Sequence, residues 1–84
     1  MKLTYETIRD ENDKLTNNLW INIEDKNKDK VLKIVKLLED KYFENAGISE
    51  DDRKWSGTFL EAFVIERDEL KDFKRFYKKF KREI

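Results

Sequence analysis

Apolar residues recur along this chain with two different periods. Between Asn27 and Asn45, Val31, Ile34, Val35, Leu38 and Tyr42 fall at i, i+3, i+4, i+7 and i+11, one stripe along a helix. Leu32, Leu37 and Phe43 flank that stripe and widen the face it buries. Asp25 or Asn27 supplies the N-terminal cap, and Gly47, followed by Ile48, has the place of a left-handed C-terminal cap. Leu70, Phe73, Tyr77, Phe80 and Ile84, with Phe76 alongside, form a second stripe. They predict a last helix from Asp68, its cap, to Arg82. Ser49 opens "SEDD", another helix start, which Gly57 limits to a short turn.

Elsewhere the period is two. "LWINIE" sets Leu19, Ile21 and Ile23 against Trp20, Asn22 and Glu24, the alternation of a half-buried strand. "GTFLEAFVIER" (57–67) is apolar on both faces, as a central strand is. Thr58 and Glu61 would also form a capping box, which extends the last helix backwards and gives an all-α bundle. The β-prone run Phe63-Val64-Ile65 and the fresh helix start at Asp68 favour the strand. "KLTYETIR" (2–9) reads as a first strand at an edge, and "DENDKLTNN" (10–18) as a polar connector.

"NIEDKNKDKVLKIVKLL" and "VIERDELKDFKRFYKKF" both run strand, capped turn, amphipathic helix. The expected fold is therefore α+β, a single domain over residues 1–84 in the order ββαβα. Three strands form a sheet and both long helices cover one face. If the second and third strands are parallel, their connection is a right-handed crossover.

Composition narrows the chemistry. The 84 residues include no Cys and no His, so disulfides, thiolate metal sites and Ser–His or Cys–His catalysis are excluded. The core must come from six Phe, three Tyr, two Trp and the Leu, Ile and Val residues. Charged residues make up 45% of the chain, yet the signs cancel and the apolar positions are periodic, which marks a folded chain rather than a disordered one. No apolar run reaches membrane-spanning length, and no export signal opens the chain; with the lack of Cys, this fits the cytoplasm.

"DKNKDK" (25–30) resembles the opening of a calcium loop only until its sixth and twelfth positions. These hold Lys30 and Lys36, where a turn glycine and a bidentate glutamate are required. No Walker or dinucleotide-binding glycine pattern exists, and no cofactor is expected. Glu61 and Glu66, beside the apolar strand, are the candidates for carboxylate chemistry; the bland alternative has Glu61 at the sheet rim, in solvent or paired with a lysine. Trp20 is expected in the core, and Trp55, beside a strongly polar stretch, is a candidate aromatic anchor for a partner.

Charge is where the sequence speaks of partners. Residues 1–68 carry twelve Lys/Arg against sixteen Asp/Glu, and residues 69–84 carry seven against three. Glu39, Asp40, Glu44, Glu50, Asp51 and Asp52 form an acidic patch. Lys71, Lys74, Arg75, Lys78 and Arg82 fall at i, i+3, i+4, i+7 and i+11, a basic ridge on the side of the last helix away from its aromatics. The expected function is that of a small non-enzymatic binding or regulatory protein that occludes a partner protein's surface. It is of inhibitor or immunity type, such as an anti-defence protein of a phage or mobile element whose acidic patch imitates nucleic acid. The alternative is a nucleic-acid-binding domain that uses the basic ridge.

Overall fold

In a computed structural model of the chain, residues 1–49 and 58–84 are described, those at 47–49 by their backbone alone. The fold is α+β. The elements are β1 (Lys2–Arg9), β2 (Leu15–Asp25), α1 (Lys28–Glu39), β3 (Glu44–Ser49), β4 (Phe59–Glu66) and α2 (Leu70–Glu83), the last entered through a 3-10 turn at Arg67–Glu69. Four strands, not three, form one antiparallel sheet in the order β1-β2-β4-β3, and the element order is ββαββα.

The period-two alternation of β2 is the key to the layers. Leu19, Ile21 and Ile23 are buried, and their cross-strand partners on β4 are Ile65, Phe63 and Glu61. Together they form the face on which both helices lie. The α1 stripe contributes Val31, Ile34, Val35 and Leu38, and α2 contributes Phe73, Tyr77 and Phe80, as their helical spacing predicts. Edge-to-face aromatic contacts join the layers: Phe63 meets Phe73 at 5.2 Å between ring centres, and Phe73 meets Phe43 at 4.9 Å.

The connection between the two helical units differs from expectation. The run 27–45 does not stay helical. Asn27 caps α1 by accepting from the Lys30 N–H, but α1 ends at Glu39. The N–H groups of Lys41 and Tyr42 close a tight turn onto the carbonyls of Leu38 and Glu39. The left-handed residue of that turn is Tyr42, with φ of 70°, not Gly47. This reversal keeps Phe43 in the core and puts Tyr42, expected on the helical stripe, in solvent at 96% exposure.

Residues 44–49 then form the edge strand β3. Gly47 sits at a register shift of that strand, and Ser49 ends it instead of capping a helix. β4 therefore gains a neighbour on each side and is antiparallel to both. The strands at 19–24 and 57–67 are antiparallel, so no right-handed crossover joins them; β2 and β3 run parallel to each other, with β4 inserted between them. The "SEDD" turn lies for the most part outside the described residues.

Candidate functional site

The helical layer is the more strongly charged part of the molecule. α1 and α2 hold eleven of the nineteen Lys/Arg but only four of the nineteen Asp/Glu. The rest of the chain keeps eight and fifteen. All eleven helical cations are exposed, because the apolar stripes take the sheet side of each helix. The predicted ridge is present and partly engaged. Lys74 donates to the Tyr5 hydroxyl at 3.0 Å and lies 4.5 Å from the centre of its ring. Arg75 pairs with Asp72 at 3.4 Å and covers Phe76. Lys71, Lys78 and Arg82 have no carboxylate within ion-pair distance among the described residues. The spacing argument missed the second half of this surface: Lys28, Lys30, Lys33 and Lys36 of α1 extend it, since α1 and α2 pack side by side.

The other face of the sheet is bare of described elements and acidic. Along its rows, Glu6, Trp20, Val64 and Glu44 lie side by side, as do Lys2, Glu24 and Leu60. Trp20 is thus not in the core. It stands on the open face at 36% exposure, with its indole N–H donating to the Asn22 side-chain oxygen at 2.8 Å. The reason is parity: a strand that turns Leu19, Ile21 and Ile23 to the helices must turn Trp20 away.

Three residues of the acidic patch are described. Glu39 and Asp40 end α1, exposed, and Glu44 begins β3. Glu50, Asp51, Asp52 and the candidate anchor Trp55 lie outside the described residues. Glu44 has other acidic neighbours that the sequence pattern did not reveal. With Glu66, Glu69, Asn18 and the exposed Tyr42 it lines an open notch of about 290 Å³.

Two buried titratable groups belong to the core side. Glu61, expected at the rim, is 2% exposed, and its carboxylate accepts from the Asn45 side-chain amide at 3.2 Å rather than from a lysine. Burial pushes its carboxyl above the ordinary range, and Glu39 adds to the effect. The crevice it shares with Lys28, Val31, Leu32, Phe59 and Leu60 measures about 10 Å³, room for about one water. Glu66 is exposed and turns its backbone N–H to the Glu69 carboxylate, a helix-entry contact. The Tyr77 hydroxyl is buried without a hydrogen-bond partner among the described residues, and burial raises its pKa, helped by the Asp25 carboxylate. Asp25 itself is held low by the Met1 ammonium at 2.8 Å and by the Asn27 N–H. The false calcium loop is thus a cap and an ion pair, and no group of three or more metal-ligating side chains occurs among the described residues.

No protein-family model matches this chain, and no curated protein or solved structure matches it either. No described helix is long and apolar enough to cross a membrane.

Proposed function

We propose that this is a small non-enzymatic binding protein that works by covering a partner's surface. Its covering face is the helical layer, docked on the phosphate backbone of nucleic acid. The observation that supports this reading is the sorting of charge by layer. The chain is neutral overall, which argues against a nucleic-acid ligand only if the two signs share a surface. Here the helices hold eleven Lys/Arg and four Asp/Glu, while Glu6, Glu24, Glu44 and Glu66 stand on the opposite face of the sheet, and charges are screened beyond about 8 Å at physiological ionic strength. Each face therefore acts through its own charge. Exposed Lys and Arg without internal partners are free to displace counterions from phosphates, which is the main source of affinity for a backbone reader.

The test is fluorescence anisotropy with labelled duplex and single-stranded oligonucleotides. Affinity should fall steeply between about 50 and 200 mM salt. Lys71→Glu, Lys78→Glu and Arg82→Glu together should abolish binding, and Lys33→Glu with Lys36→Glu should reduce it. These side chains support no described ion pair, so the fold should survive the changes. Absence of binding at the lowest salt, or binding indifferent to the triple reversal, sinks the reading.

The acidic notch carries a second reading, closer to an inhibitor that meets a basic protein. Tyr42, at 96% exposure beside Glu44, Glu66 and Glu69, combines an aromatic ring with carboxylates, a surface suited to Lys or Arg of a partner. Affinity capture from the native host with wild type and with Glu44→Lys, Glu66→Lys and Tyr42→Ala would decide it. A partner retained equally by all of them excludes the notch.

A further inference from the structure

The two edges of the sheet are built differently. β3 is short, six residues, and its register breaks between Asn45 and Gly47. A bulge of this kind twists an edge away from further pairing. β1 is longer and pairs with β2 in unbroken register from Lys2 to Thr7. It holds no proline, and its helix-facing residues Leu3, Tyr5 and Thr7 carry no charge. Over this run there is no bulge and no inward-pointing charge; its two charges, Lys2, which pairs with Glu24 at 3.8 Å, and Glu6, both stand on the open face. Among the described residues no strand lies opposite the outer backbone groups of β1, since β1 ends the sheet.

We propose that β1 pairs antiparallel with β1 of a second copy about a two-fold axis through Thr4. The register follows from symmetry and charge. An axis that joins two antiparallel edges into one continuous sheet runs perpendicular to it and keeps each face on its own side. Residues therefore pair only with residues of the same face. Centred on Thr4, the pairing sets Lys2 opposite Glu6 of the second copy, twice, with Thr4 on its own counterpart. On the helix side, Leu3 meets Tyr5 of the second copy, also twice. Centred on Glu6, it would oppose two carboxylates, and centred on Tyr5 it would make no ion pair. Only the first register is complementary to itself. Tyr5 is 47% exposed and Thr4 and Glu6 are exposed, so the pairing covers surface that the monomer leaves wet.

The result is an eight-stranded sheet with four helices on one face, which doubles the basic layer. Pairing does not depend on what that layer binds, and it is measured without nucleic acid. Sedimentation velocity from low micromolar to millimolar protein should show a monomer passing into a dimer. Thr4→Lys sets two ammonium groups against each other at the axis and should weaken the dimer about tenfold or more. An unchanged circular dichroism melt shows that Thr4→Lys leaves the monomer intact. The chain has no cysteine, so Thr4→Cys gives one thiol at the axis. Under mild oxidation it should crosslink at least about ten times faster than Lys79→Cys on the outer side of α2. A monomer at every concentration, a dimer unmoved by Thr4→Lys, or a Thr4→Cys crosslink no faster than the control each overturns the proposal.

Discussion

The two faces of one sheet part company at every level. On the helix-covered face Leu19, Ile21, Ile23, Phe63 and Ile65 are buried, and Glu61 is buried among them. The open face mixes Trp20, Leu60 and Val64 with Asn18, Asn22, Glu24 and Glu66. Both derive from the same strands, one residue out of step. The difference teaches that here the helical layer does two jobs. Its inner stripes supply the core, and its outer surface collects the cations that the core excludes. Twelve of the sixteen described Asp/Glu lie outside the helices. A neutral chain thereby becomes a molecule with a basic and an acidic side.

The comparison breaks first at the core. Phe73→Ala, on the covered side, removes a fully buried ring that touches Phe43 and Phe63 and should cost about 3–5 kcal/mol. For a chain this short, that approaches the whole of its stability. Trp20→Ala, on the open side, should cost about 1 kcal/mol, since the ring is partly wet and has one hydrogen bond to lose. Chemical denaturation of the two variants side by side measures the contrast. Equal losses would mean that the open face is covered in solution.

Glu61 is the exception on the covered side, and it gives the next effect. Its carboxyl pKa is raised in the folded state by burial, so the folded protein holds that proton more tightly than the unfolded chain does. Stability from this group is full below the unfolded pKa, near 4.5, and is lost as pH rises through the folded value. At pH 7 the charge is a burden. Glu61→Gln keeps an oxygen for the Asn45 amide and should raise the melting temperature by a few degrees at neutral pH. The gain should vanish toward pH 4. A Glu61→Gln protein less stable than wild type at pH 7 would show that the ionised carboxylate is needed.

The smallest effect belongs to the turn between α1 and β3. Tyr42 holds a positive φ while its side chain lies in solvent, so its backbone cost is not repaid by packing. Tyr42→Gly relieves it and should leave stability unchanged or raise it by up to about 1 kcal/mol. If the acidic notch is a contact, the same change should reduce partner capture. Stability and binding would then move in opposite directions, which is the mark of a strained residue kept for recognition.

Much of the fold was legible because it is written in local periods. The spacing of Val31, Ile34, Val35 and Leu38, and of Phe73, Tyr77 and Phe80, marks two amphipathic helices, and the α+β class follows from the alternation of "LWINIE" and the β-prone run Phe63-Val64-Ile65. The exposed basic ridge is equally local, for seven of the eleven helical cations lie on α2. What the residues of "ENAGIS" do could not be read locally. They have no period, and they become a strand because β4 has an open side whose backbone groups need partners. The acidic notch was hidden for the same reason: Glu44 and Glu66 meet only through the pairing of β3 with β4.

The sequence by itself determined the periods, and with them which residues of each helix and strand share a side. It excluded thiol and imidazole chemistry as well, since the chain has no His or Cys. Tertiary structure alone decided the strand order, the solvent position of Tyr42, and the burial of Glu61. It also decided that charges mixed along the chain separate into two faces. Periodicity acts within a few residues of its own helix or strand. Strand order and charge layering arise from contacts between segments distant in sequence, where the fold chooses the partner and no local pattern names it.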